Sequence, residues 1–332
     1  MRKLINQPDR FVDETLEGLT MAHEDQLALL ESDRRVVVRA RRPEKPKVGI
    51  VTGGGFGHLP VFLGYVGTGL ADSCAVGNVF SSPGSEQILH AMEAADTGMG
   101  VLQLFGCYQG DKMNFKMAGM MAARRGISYQ TVIVSDDVAS APPEQREKRR
   151  GIAGLVLVYK IAGACAEAGC DLQEVARVAQ KAADSVRTFG VSLSACTIPT
   201  VGKPNFSIPE GMMEVGMGIH GEPGIETCPI LTADETASML MERILQDLDC
   251  SGNCRAALLV NGLGATPLEE LYLLCRKASR ICSERGIHLH RCFVGEYATS
   301  LEMAGASLSL IRLDDELTRY LDAPCSSPFF RV

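Results

Sequence analysis

The sequence predicts an α/β protein of two units, the first carrying a doubly wound, mostly parallel sheet and the second a smaller mixed α/β unit. Three observations predict it. Short apolar runs alternate with helical stretches through the first half. The first of those runs opens into a cluster of glycines. A chain of 332 residues is also longer than one compact core usually holds.

Residues 8–32 are rich in acids and leucines at helical spacing and read as a docking helix rather than a core strand. Residues 47–51 form a buried strand that ends at Gly53, Gly54 and Gly55. Residues 70–76 and 99–105 read as further strands, each followed by a helical stretch, the second beginning at Asp111. The methionines from Met113 to Met121 on that helix are expected to fill core. A strand at 129–134 leads to Asp136 and Asp137, then to a polar loop with a basic run from Arg146 to Arg150. Residues 151–169 and 171–187 look like paired helices.

The texture changes at Thr188 to short β-like pieces broken by Gly and Pro, at 191–198 and 212–219. The units are therefore divided as 1–187 and 188–332. The second contains strands at 255–260, 287–294 and 307–313, with helices at 233–248 and 267–285. No repeat relates the halves.

Composition narrows the function. Hydrophobic residues at 46% and charged residues at 22% are those of an ordinary globular chain, and a net charge of −7 disfavours nucleic acid and anionic membranes. The start lacks a signal-peptide core and no apolar run would span a bilayer, so a cytoplasmic protein with a small-molecule substrate is expected. The 12 cysteines, Cys74, Cys165 and Cys275 among them, are read as free, buried thiols.

Three segments could carry chemistry. The first, GGGFGHLP at 53–60, lets backbone approach a ligand closely, but it fits neither the dinucleotide fingerprint, because His58 replaces the last glycine, nor a P-loop. The second, GCYQGDKMN at 106–114, follows a strand. Ligands of open parallel sheets bind at the carboxyl ends of strands, so His58 and Asp111 could meet although 53 positions separate them. Asp111 could take a proton from a substrate hydroxyl, or cap its helix, or both. The third, GMGIHGEPG at 216–224, has five Gly or Pro in nine positions and leaves the His220 imidazole open to a small molecule.

Weaker candidates remain. His288, His290 and Cys292 alternate on one strand face, and with Cys250 and Cys254 they raise zinc, although the spacing matches no structural zinc site. Asp136 with Asp137, and Asp314 with Asp315, could hold magnesium but read better as solvated loop ends. No metal site is assigned.

In order along nearly the whole chain, these segments resemble the dihydroxyacetone-binding subunit of dihydroxyacetone kinase, the DhaK family. Residues 53–60 are similar to its GGGSGHEP loop, 108–115 to Y-x-G-D-x-M-N-F, and 218–224 to GIHGEPG. Further agreement lies in RRGIAG at 149–154, GKP at 202–204, VNGLG at 260–264, TSLEMAG at 299–305 and LDAP at 321–324.

The resemblance implies a homodimer whose His220 bonds the carbonyl carbon of dihydroxyacetone, or of a related short ketose, as a hemiaminal. His58 would hydrogen-bond the substrate and Asp111 would activate the attacking hydroxyl. Gly55, Phe56, Gly57, His58, Gly106 and Asp111 would line the pocket. It implies no cofactor on this chain. ADP or ATP with magnesium is expected on a separate helical, DhaL-like partner subunit, recharged by a phosphotransferase-system protein or by exchange. The alternative on the same fold is a ketose-sensing coactivator that transfers no phosphate.

Four departures from the family stand out: Phe56 for serine, Leu59 for glutamate, Gly106 for a lysine common in bacterial members, and Glu296 for asparagine. The first and third put the identity of the ketose in question.

Overall fold

The computed structural model describes residues 3–250 and 254–332. The chain opens with helix α1 (Phe11–Ala22) and a hairpin of β1 (Leu27–Leu30) and β2 (Asp33–Arg39). Then follow β3 (Gly49–Phe56), β4 (Ser73–Val79), α2 (Ser85–Ala95), β5 (Val101–Gly106), α3 (Gln109–Arg124) and β6 (Tyr129–Val134). Two helices, α4 (Leu155–Glu167) and α5 (Leu172–Asp184), lead into β7 (Val186–Ser192), β8 (Met212–Val215) and β9 (Glu226–Pro229). The chain ends with α6 (Ala233–Asp247), β10 (Arg255–Gly262), α7 (Leu268–Glu284), β11 (His288–Gly295), β12 (Gly305–Leu313) and α8 (Asp315–Asp322).

The first sheet runs β1-β2-β4-β3-β5-β6, with β4, β3, β5 and β6 parallel and the β1–β2 hairpin antiparallel at one edge. The second runs β11-β10-β12-β7-β8-β9, and only β10 and β11 pair in parallel. The divide expected between 187 and 188 falls inside β7.

Side-chain parity sorts the strands between layers, because successive residues of a strand face opposite ways. Val51, Val101 and Phe105 meet Ile88 and Met92 of α2 and Phe115 of α3. Their neighbours Ile50, Leu102 and Leu104 meet α4 and α5 on the other face. Ala257, Leu259 and Ile311 of the second sheet face that same helical layer, whereas Leu258, Val260 and Leu310 face α6 and α7. Helix α4 is thus the middle of the molecule and is buried from Leu155 to Ala166. A helix apolar on every side is what such a position demands. Its one cation, Lys160, donates to the Tyr320 carbonyl at 2.6 Å, and burial holds its amine down at about 8.

Several expectations are corrected. Residues 27–32, expected to end a docking helix, are instead β1 and the turn into β2, a hairpin in which β2 pairs with β4 and β1 is the sheet edge. Met113, Met117 and Met120 are exposed rather than core. Cys250 and Cys254 are joined in a disulfide, and Cys292 is exposed. Asp136 and Asp137 are not solvated: Asp136 accepts from the Ile152 and Gly154 amides at 2.8 Å, and Asp137 binds Arg150. Asp314 caps α8 by accepting from the Leu317 amide at 2.9 Å. Among the described residues, no helix is long and apolar enough to cross a membrane.

Candidate active site

Three parallel strands deliver their carboxyl ends to one place. β3 lies between β4 and β5, so the chain leaves it in opposite directions, the arrangement that opens a crevice in parallel sheets. From β3 comes His58, from β4 Phe80, and from β5 the turn holding Tyr108 and Asp111. The fourth wall comes from the second sheet, whose 216–224 loop places the His220 ring 4.7 Å from that of His58. His58, Asp111 and His220, far apart in sequence, thus converge: the carboxyl of Asp111 lies close enough to His220 for the two side chains to interact electrostatically.

Hydrogen bonds define which ring nitrogens face the crevice. The Thr299 carbonyl lies 2.7 Å from His58 Nδ1 and accepts its proton, which leaves Nε2 as an acceptor. The Glu222 carboxylate likewise accepts from His220 Nδ1 at 2.9 Å, which leaves Nε2 of His220 with its lone pair. Ser300 and Asn205 fix the loop by donating to the carbonyls of Ile219 and His220. Arg150 reaches across from the first unit, donating to Asp137 at 2.7 Å and to the Gly216 carbonyl at 2.8 Å.

Burial and charge set the protonation states. His58 is fully buried; desolvation, helped by nearby His220, lowers its imidazole to about 3, so it is neutral at neutral pH. Desolvation raises the Asp111 carboxyl to about 6, against the Ser82 hydroxyl and His220, which pull it down. Burial alone would raise Glu222, but the hydrogen bond it accepts from His220 and its closeness to His220 and Arg150 outweigh that and hold it at about 2. Burial also pushes the Tyr108 phenol well up, so its proton stays on.

Four buried polar atoms here have no partner among the described residues: His58 Nε2, Asp111 Oδ1, Tyr108 Oη and Asn205 Oδ1. Buried polar groups are nearly always satisfied in native proteins, so a cluster of unsatisfied ones marks where a polar ligand belongs. A cleft of about 890 Å³, lined by Arg39, Lys47 and Glu167 among others, lies elsewhere. Arg39 and Lys47 are already bound to Asp72 there, so size is a poorer guide than unpaired chemistry.

The glycines of the first loop make room for a ring. Phe80, in the left-handed region at φ 56°, stacks on His58 with centroids 4.9 Å apart and sets its edge against His220 at 5.4 Å. A Cβ on Gly55 would stand 2.9 Å from the Phe80 backbone, and one on Gly57 would stand 2.8 Å from its ring. Gly57 also has φ 109°, which L side chains rarely adopt. Gly57→Ala should therefore lower stability by ~1–3 kcal/mol and displace His58. An unchanged denaturation midpoint would refute that.

The remaining expected lining residues sit differently. Phe56 turns its ring to Phe11 of α1, 5.6 Å away, and joins the central core. Gly106 abuts Gly151, whose carbonyl would lie 3.1 Å from any Cβ there. Glu296 is in neither wall; its Oε2 is buried without a partner, and a Cβ on Gly262 would meet its Oε1 at 2.2 Å. His290 is held by Asp322 at 2.8 Å, and no metal-holding group of His, Cys, Asp or Glu occurs among the described residues. Phe80, Tyr108, Glu222, Arg150 and the Thr299 carbonyl were not singled out from the sequence. Tyr108, Glu222, Arg150 and Thr299 stand inside the motifs quoted, but none of these residue types announces a bracing role.

Comparison with known proteins places the chain in a family. The model of the Dak1 domain matches residues 17–329. The chain is 44% identical over 332 residues to the PTS-dependent dihydroxyacetone kinase 2, dihydroxyacetone-binding subunit DhaK, of Listeria innocua serovar 6a, with all of both chains covered. It is 44% identical over 336 residues to the L-erythrulose kinase of Pectobacterium atrosepticum, covering all of this chain but only 56% of that one. The solved structure of the dihydroxyacetone kinase operon co-activator Dha-DhaQ superposes with a TM-score of 0.88 at 32% identity, covering 94% of this chain and 96% of the other.

Proposed function

Because the chain belongs to the Dak1 domain family, a family with kinase-type phosphotransferases among its members, we propose that it captures dihydroxyacetone or a related short ketose on His220. There it presents a hydroxyl for phosphorylation. The observation that carries the reading is the tied Nδ1 of His220, which leaves Nε2 as a nucleophile beside the unpaired His58 Nε2 and Asp111 Oδ1.

In this reading Nε2 of His220 adds to the carbonyl carbon and the C=O π pair moves to oxygen. Balance requires a net shift of one proton from Nδ1 to that oxygen, and the Glu222 carboxylate beside Nδ1 is placed to relay it or to offset the ring's charge. His58 Nε2 accepts from one substrate hydroxyl. Asp111 accepts the proton of the other as it attacks the phosphoryl group of a nucleotide carried by a partner subunit. A polyol such as glycerol has no carbonyl and cannot form the bond, so chemistry rather than shape excludes it.

The test is NMR with carbonyl-labelled dihydroxyacetone. On mixing with the protein the labelled carbon should move from the trigonal to the tetrahedral region, and with His220→Ala it should not. A tetrahedral signal that survives in the variant defeats the proposal.

The likeness to Dha-DhaQ favours a second reading, in which the ketose is sensed and no phosphate moves. Phosphate appearing on the sugar once a nucleotide-loaded helical subunit is added excludes pure sensing.

A further inference from the structure

The cleft lined by Arg39, Lys47 and Glu167 has unpaired groups of its own. It encloses about 890 Å³, within the ~300–1,000 Å³ usual for small-molecule sites. Lys47 precedes β3 and His58 follows it, so the 8 residues of that strand, at ~3.3 Å each, separate the cleft from the His220 crevice.

The floor of the cleft is neutral. Arg39 donates to Asp72 at 2.9 Å and to Glu167 at 2.8 Å, and Lys47 donates to Asp72 at 2.6 Å. The rim is not neutral. Arg41, Arg42 and Lys45 reach it from the connection between β2 and β3, and Arg331 from the segment after α8. All four are exposed, and none has an ion-pair partner among the described residues. Asp25 and Glu44 are the carboxylates on the same rim, so positive charge is in excess there although the chain as a whole carries −7. A concave site with charge of one sign in excess draws in the opposite sign. Its walls are fixed by backbone: the Ala40 amide donates to the Gln26 carbonyl at 2.8 Å, and the Ser326 amide donates to the Thr68 carbonyl at 2.9 Å, while Ser326 also bridges to Arg331.

An uncharged group narrows the ligand further. Gln26 lines the cleft, and its Oε1 is buried with no partner among the described residues. Buried polar atoms are nearly always satisfied, and an amide oxygen can only accept, so the missing partner is a donor such as a hydroxyl.

We propose that this cleft binds the phosphate monoester of a small polyhydroxy compound. The phosphate lies among Arg41, Arg42, Lys45 and Arg331, and a hydroxyl donates to Gln26 Oε1. A phosphate monoester carries about −1.5 to −2 near neutral pH, which suits the positive excess on the rim. Guanidinium forks bind such oxygens in pairs. The inference does not rest on capture by His220, because the two sites share no residue.

The probe is glycerol 3-phosphate, which has the phosphate and the hydroxyls but no carbonyl and so cannot form the His220 adduct. Calorimetric titration of the full chain, with dihydroxyacetone present throughout, should show saturable binding with Kd below ~1 mM. Added salt should weaken it, since the cations are exposed. Glycerol should not bind. Arg41→Ala with Arg42→Ala should weaken glycerol 3-phosphate at least ~10-fold. Gln26→Met keeps the length of the side chain but not the acceptor, and should weaken glycerol 3-phosphate by ~3–10-fold. The same variant should bind inorganic phosphate as the wild type does, a split that a general loss of positive field would not produce. The tetrahedral signal of labelled dihydroxyacetone should be the same in every variant.

Absence of saturable binding by ~10 mM overturns the proposal. So does binding that the double arginine variant leaves unchanged, which would put the probe elsewhere on the chain. Gln26→Met binding glycerol 3-phosphate like the wild type overturns it as well, since the unpaired oxygen would then have no part. Binding that all these variants weaken as expected, with no adduct in any form, supports the cleft and removes the capture reading instead.

Discussion

Asp111→Asn should leave the ketose bound and nearly stop its phosphorylation, lowering the transfer rate by ~10²–10⁴-fold, the usual contribution of a positioned general base. The substitution keeps the side chain's size and its place in the first turn of α3, but an amide cannot accept the hydroxyl proton. The rate constant should fall with little change in the ketose concentration for half saturation, and the labelled carbonyl carbon should still become tetrahedral. In the wild type the acid side of the rate profile should belong to Asp111. Its carboxyl stands at about 6 because it is desolvated, so transfer should weaken as pH drops through that value and the base becomes protonated. A single-turnover measurement with saturating partner reads this directly. An Asn variant within a few-fold of wild type, with the same pH dependence, would show that Asp111 only caps or orients.

The sequence made the chemistry easier to read than the walls around it. His58, Asp111 and His220 sit among glycines at the ends of apolar runs, and the topology of a parallel sheet brings such ends together. Phe80 was missed because nothing in the motif around His58 points to it; its place follows from β4 lying next to β3 and from Gly55 and Gly57 leaving it room.

Two other misreadings could have been caught from periodicity. Phe56 shares parity with Ile50 on β3, and that face looks to α4 and α1, away from α3. On α3, Phe115, Ala118 and Ala122 already occupy the buried face, which leaves Met113, Met117 and Met120 on the opposite one. The β1–β2 hairpin is harder: its two short apolar runs, 27–30 and 36–38, are separated by charged residues at 31 and 33–35, and that pattern does not tell a hairpin from a surface helix until a neighbouring strand is known. Glu296 in place of the family's asparagine, buried in part and unpaired at Oε2, has no structural explanation.

Asp247→Ala should be among the most destabilising single changes in the chain, lowering stability by ~3–5 kcal/mol, as when one partner of a buried ion pair is removed. Asp247, at the end of α6, accepts from Arg149 Nη1 at 2.9 Å and Arg149 Nη2 at 2.6 Å, and from Arg187 Nε. All three side chains are 7% exposed or less. Without the carboxylate, two guanidiniums face each other with little water to screen them. Burial would raise the Asp247 carboxyl, but the two arginines more than offset it and hold it at about 2. A folded-state value below the unfolded one means the contribution is complete above the ordinary carboxylate range near ~3.9 and is lost as pH falls toward 2. The denaturation midpoint of the wild type should therefore fall in acid over that window, and that of Asp247→Asn should fall less. The loss reaches the site, because Arg149 precedes Arg150, whose guanidinium holds the Gly216 carbonyl at the base of the His220 loop. Adduct formation in the Asp247 variants should accordingly slow even under conditions where they remain folded. A variant with a wild-type midpoint and wild-type adduct rate would mean that Arg149 and Arg187 find other partners, and the link from the α6 terminus to His220 would fail.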